Sequence, residues 1–133
     1  MRRIVIALLL ACPLAVTGAA FEKGWSAASS GDFVTALREW LPLGERGHAA
    51  AQYNLGVMYE SGQGVPQDYP QALYWYRKAA DQEHIRAQSN LGVMYDDGRG
   101  IQKDYAQAVH WYRKAAKQGL ASAQYNLGAM YSN

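Results

Sequence analysis

Residues 51–59 read Ala51-Gln52-Tyr53-Asn54-Leu55-Gly56-Val57-Met58-Tyr59, and residues 87–95 read Ala87-Gln88-Ser89-Asn90-Leu91-Gly92-Val93-Met94-Tyr95. A shift of 36 residues lays His48–Glu83 on His84–Gly119 without a gap, with 22 of the 36 positions identical. Self-similarity at such a period marks a stacked-repeat architecture, in which one unit cannot bury its own apolar face and each neighbour covers the last. A third copy opens at Leu120, repeats Ala123-Gln124-Tyr125-Asn126-Leu127-Gly128 and stops after half a unit. Upstream, Gly31-Asp32-Phe33 and Ala36 stand one period ahead of Asp68-Tyr69 and Ala72, so 21–47 reads as a degenerate first unit.

Each full unit reads as two helices. In the first, Ala51, Leu55, Met58 and Tyr59 recur at helical spacing and Gly62 follows where a left-handed cap belongs. The second carries Tyr69, Ala72, Tyr76, Ala79 and Ala80 on one stripe, with Arg77 and Lys78 at its outer edge. Asp68 with Gln71, and Asp104 with Gln107, have the spacing of reciprocal capping boxes. The pattern predicts helices over 21–29, 32–46, 48–61, 68–82, 84–97, 104–118 and 120–131. Glycine inside a helix costs about 1 kcal/mol relative to alanine. Gly56, Gly92 and Gly128 repeat that cost, which implies a repeated use: close approach of a neighbouring helix, expected at Ala72 or Ala108.

At the amino end, Met1-Arg2-Arg3, the apolar run from Ile4 to Val16 and the small residues Thr17-Gly18-Ala19-Ala20 read as a secretory signal cleaved after Ala20. An uncleaved anchor and lipidation at Cys12 are the alternatives. Of 133 residues, 113 remain after such a leader, one ordinary domain. The leader holds two of the 13 basic residues, so the remainder carries 11 basic against 11 acidic residues. A nucleic-acid partner, which calls for a basic patch, is not expected. Cys12 is the single cysteine, so past the leader there is neither a disulfide nor a thiol nucleophile.

The pattern A-x-A-Q-Y-N-L-G-V-M-Y, then G-x-G, then D-Y-x-x-A and W-Y-R-K-A-A resembles Sel1-like repeats, over essentially the whole chain after the leader. The resemblance implies an all-α fold, a right-handed α-solenoid of antiparallel helix pairs similar to tetratricopeptide repeats, and an adaptor or scaffold role in protein complexes. Some secreted members rich in cysteine bind or hydrolyse β-lactams, but each of their repeats holds a disulfide that this chain lacks. That activity is therefore not carried over.

The remaining residues offer no reaction chemistry. His48 and His84 occupy one repeat position and His110 replaces Tyr74, and none shares the helical spacing of a metal pair, so no metal or cofactor is expected. Gly62-Gln63-Gly64 and Gly98-Arg99-Gly100 follow helices and not strands, and read as turns. Trp75 and Trp111 adjoin the core stripe and suit either a core or a partner contact. The expectation is a non-enzymatic protein-binding module in the bacterial periplasm or secreted space. Its alternative is a hydrolase or small-ligand binder acting on cell-wall or β-lactam-like material.

On a wheel of 100° per residue, the side of the first helices opposite the core contains Tyr53, Glu60 and Ser61. One and two periods on, it contains Arg86, Ser89, Asp96 and Asp97, and then Tyr125. By resemblance to tetratricopeptide arrays these positions line a concave groove, acidic at Glu60, Asp96 and Asp97, and suited to an extended peptide with positive charge. Val57 and Val93 fall on the same side or between repeats. Because the last unit is a lone first helix, Leu127, Met130 and Tyr131 are expected to stay uncovered. Self-association through the C-terminal face, or a longer parent chain, would cover them.

Overall fold

The structure is a computed structural model that describes residues 13–132. Seven α-helices account for the regular structure of those residues: α1 Pro13–Ser29, α2 Phe33–Glu45, α3 Ala49–Ser61, α4 Tyr69–Asp81, α5 Ile85–Asp97, α6 Tyr105–Lys117 and α7 Ala121–Ser132. They pack in sequence, each on the next, and the closest pairs are α1 with α2, α3 with α4 and α5 with α6. Six of the seven expected helices lie within a residue of their predicted limits. α1 departs, because it begins at Pro13 and not near Phe21. The small residues Thr17-Gly18-Ala19-Ala20, expected to meet a signal peptidase, lie inside this helix. Met1 to Cys12, which carry most of the leader reading, lie outside the described residues, and no described helix is long and apolar enough to cross a membrane.

Local chemistry sets each helix end. Asp68 and Asp104 accept the amides of Gln71 and Gln107 at 3.0 and 3.1 Å. The reciprocal half of the expected capping box is absent: the Asp68 and Asp104 amides donate to the carbonyls of Tyr59 and Tyr95, at 2.9 and 3.0 Å. Those bonds close each inter-helix loop on the helix it left, so the glutamine side chains are not needed there. His48 and His84 are themselves N-caps, each accepting through Nδ1 the amide of Ala51 or Ala87. At the far ends Gly62 and Gly98 adopt φ of 72° and 71°, and their amides return to Met58 and Met94.

Two apolar clusters run through the stack. One joins Ala36, Trp40, Leu43, Ala51, Leu55, Met58 and Trp75, and the other joins Ala72, Tyr76, Ala79, Ala80, Ala87, Leu91, Met94 and Trp111. Each mixes residues of neighbouring units, so the core belongs to the joints between repeats as much as to the repeats. Trp75 and Trp111, left open between core and partner by the sequence, are buried. Fully burying a leucine contributes about 1.5–3 kcal/mol, and Leu55 and Leu91 both have no exposed surface.

The helical glycines serve close packing against a different neighbour from the one expected. A Cβ on Gly56 would stand 2.5 Å from the Tyr76 ring, and one on Gly92 would stand 2.5 Å from that of Tyr112. Each glycine is thus a seat for a tyrosine ring. At Gly128 a Cβ would meet nothing within 4 Å.

Candidate functional site

The eight residues expected to line a groove divide into three groups. Tyr53 and Ser89 are taken up by packing between units. Tyr53 stacks on His84, ring centroids 4.7 Å apart, and leans on Tyr76, while Ser89 is 7% exposed. The wheel misplaces them because the next repeat folds over that side of the helix, which a single-helix projection does not contain. Val57 likewise packs half-buried against the second cluster.

Glu60, Asp96 and Asp97 form a second group, a polar strip at the C-terminal ends of α3 and α5. Glu60 accepts the Tyr76 hydroxyl at 2.8 Å through one oxygen, and its other oxygen lies 3.4 Å from Arg99. Arg99 also meets Asp97 at 2.8 Å. Asp96 accepts the Tyr112 hydroxyl at 3.4 Å. Burial, followed by the nearby Glu60 carboxylate, raises the Tyr76 phenol above its ordinary range, and burial with Asp96 does the same for Tyr112. Both hydroxyls therefore remain protonated donors. Burial opposes the charge on Arg99, but Asp97 and Glu60 outweigh it and hold the guanidinium pKa above its usual value. The acidic groove is accordingly less free than its sequence implies, because two carboxylates are engaged in holding tyrosines and Arg99 spans the joint. Three carboxylates still face one guanidinium.

Arg86, Ser61 and Tyr125 are the third group, exposed to solvent. The Ser61 hydroxyl donates to the Val57 carbonyl at 2.7 Å. Arg86 extends from the first turn of α5, and its charge joins burial in lowering the His84 pKa, with burial the larger cause. Tyr125 is 77% exposed.

A ladder of glutamines, to which the sequence reading gave no role, ties successive units together. Gln52 donates to the Gly44 carbonyl at 3.0 Å and accepts from Gln82 at 2.9 Å. One unit on, the completely buried Gln88 donates to the Ala80 carbonyl at 3.3 Å and accepts from Gln118 at 2.7 Å. The available signal was the recurrence of Gln52, Gln88 and Gln124 beside the apolar stripe at one repeat position. On the outer side, Arg77 lies over the Trp111 ring at 5.2 Å and pairs with Asp81, while Lys114 lies over the same ring and reaches Glu83. Among the described residues no group of three or more histidine, cysteine, aspartate or glutamate side chains is placed to hold a metal ion.

Comparison with known proteins places this arrangement. The family model described as Sel1 repeat matches residues 49–84, 85–120 and 121–133. Among solved structures, a Sel1 repeat protein from Oxalobacter formigenes is similar at 34% identity and a TM-score of 0.84, over 96% of this chain and 55% of that one. A protective antigen of uropathogenic Escherichia coli strains, described as displaying an SLR fold, is similar at 40% identity and a TM-score of 0.82. That match covers 86% of this chain and 26% of the antigen, so the chain spans about half of one relative and a quarter of the other. No protein of curated function matches.

Proposed function

The chain belongs to the Sel1 repeat family, and from that premise we propose that it is a non-enzymatic protein-interaction module, exported to the periplasm or beyond, that holds a protein or peptide partner on the exposed side of α3 and α5. The observation that carries this reading is the division of labour within one scaffold. The packing positions Leu55, Gly56 and Met58 recur as Leu91, Gly92 and Met94, whereas half-buried Ala50 and exposed Ser61 become the exposed Arg86 and Asp97. Side chains that change on an unchanging frame are suited to recognising a particular partner. The excess of carboxylates over Arg99 favours a partner segment bearing positive charge, bound more weakly as salt rises. Export rests on the basic start, apolar run and small residues of 1–20.

The test is capture from an exported-protein extract with residues 21–133 as bait, followed by affinity measurement on the partner recovered. Asp97→Asn with Ser61→Ala should weaken binding without altering the fold, because neither residue is buried. Arg77→Ala with Arg113→Ala, on the outer helices, should leave it unchanged. Loss of binding only in the second pair would move the site to the outer face.

A further inference from the structure

On the outer side of the stack, α4 and the end of α5 border a groove of about 360 Å³ lined by Pro70, Leu73, Tyr74, Arg77, Lys78 and Tyr95. Half-buried Leu73 and Tyr95 form its floor, and the exposed Pro70, Tyr74, Arg77 and Lys78 form its rim. The rim is cationic at one end. Lys78 lies over the Tyr74 ring at 5.1 Å and pairs with no carboxylate among the described residues. Arg77 meets Asp81 at 3.3 Å, but both side chains are exposed, and an exposed pair of this kind contributes little and yields readily to another anion. The Tyr95 hydroxyl has no hydrogen-bond partner among the described residues, unlike those of Tyr76 and Tyr112. Packing does not call for the two cations. One period earlier Leu41 and Pro42 stand in their places, and Trp75, the counterpart of Trp111, is buried with no cation over its ring among the described residues.

We propose that this groove binds a short extended segment of a partner protein in which an apolar side chain and an aspartate or glutamate stand two residues apart. Leu73 precedes Arg77 and Lys78 by four and five residues on α4, about 6–7.5 Å along its axis. An extended peptide rises about 3.3 Å per residue, so side chains two residues apart lie on one face and span that distance. The apolar side chain would rest on Leu73, Tyr95 and Pro70, and the carboxylate would meet Lys78 and Arg77. The Tyr95 hydroxyl would bond the peptide backbone between them. A surface of anionic lipid matches the groove less well. Its apolar floor is recessed, and Arg77 and Lys114 are each held on the Trp111 ring and on a carboxylate. The groove uses none of the residues assigned above to the partner of α3 and α5, and its ligand carries the opposite charge. The two readings therefore fail or succeed separately.

The probe is the peptide acetyl-Gly-Ser-Phe-Ser-Glu-Ser-Gly-amide, added to the isotope-labelled full chain and followed by amide nuclear magnetic resonance. Saturable shifts are expected at Leu73, Tyr74, Lys78 and Tyr95. Glutamine in place of the peptide's glutamate, or serine in place of its phenylalanine, should weaken binding at least about fivefold, and so should Arg77→Gln with Lys78→Gln in the protein. Lys78→Gln alone should weaken binding at least about threefold with an unchanged unfolding transition, since Lys78 is exposed and engaged only with the Tyr74 ring. That variant keeps the readout apart from any effect of Arg77 on the Trp111 ring. The proposal is overturned if the four amides stay unshifted at millimolar peptide, if the glutamate and glutamine peptides bind equally, or if Lys78→Gln binds as the parent chain does. It is also overturned if the chain leaves the peptide unbound and instead sediments with phosphatidylglycerol vesicles through Arg77 and Lys78.

Discussion

α5 and α7 carry nearly the same residues in the same order, and they live in different surroundings. Both read Ala-Gln-x-Asn-Leu-Gly-x-Met-Tyr, yet Leu91 is completely buried while Leu127 is half-exposed, and Gly92 lies under a tyrosine ring while Gly128 faces open space. Gln88 bridges two units from a fully buried position, and Gln124 reaches the Ala116 carbonyl at 3.2 Å from an exposed one. The pair is an internal control. Identical local sequence forms a helix in both places, so propensity and the contact with the preceding helix suffice for the helix. Whatever energy differs between equivalent substitutions comes from the helices that follow.

The largest effect should be at the leucines. Leu91→Ala is expected to destabilise the fold by about 2–5 kcal/mol in chemical denaturation, and Leu127→Ala by less than about 1.5 kcal/mol, because much of its side chain is already in water. Equal losses would mean that α7 is covered in solution. The glycines should then differ in sign. Gly92→Ala forces a Cβ into the Tyr112 ring and should cost about 1–3 kcal/mol, whereas Gly128→Ala meets no atom and should gain up to about 1 kcal/mol from helix propensity. A destabilising Gly128→Ala would break the comparison.

At the glutamines, Gln88→Leu leaves the Ala80 carbonyl and the Gln118 amide without their partner and should cost about 1–3 kcal/mol. Gln124→Leu, near water, should change stability by less than about 0.5 kcal/mol. The smallest effect concerns pH. Burial and then Arg86 hold the His84 imidazole below its ordinary value of 6.5, and only the neutral ring can accept the Ala87 amide. On acidification the unfolded chain takes up this proton before the folded one does. The contribution is therefore fully present above about pH 6.5 and is lost as pH falls below it through the folded value. Between pH 7.5 and 5, the parent chain should lose more stability than His84→Asn, which keeps a capping side chain that does not titrate. The equivalent position in the last unit is Leu120, so that joint has no such pH dependence.

The sequence by itself determined what depends on near neighbours along the chain. The limits of the helices after α1, the aspartate caps, the left-handed turns at Gly62 and Gly98 and the period of 36 follow from a few consecutive residues, whose hydrogen bonds and backbone angles are satisfied within one turn or one loop. The stacking of units also followed, because a repeat with a one-sided apolar stripe has nowhere else to bury it. Only the tertiary structure decided what depends on how far one helix rotates against the next. It chose Tyr76 and not Ala72 as the occupant of the Gly56 seat, drew Tyr53 and Ser89 out of the groove and into the joints, and turned Gln88 from a polar residue beside the stripe into a buried bridge. The cause is geometric. A helical wheel assigns each residue an angle about its own axis, but the surface available to a partner is what remains after helices on both sides have been packed. In this chain the helices that follow cover α3 and α5, while much of α7 is exposed.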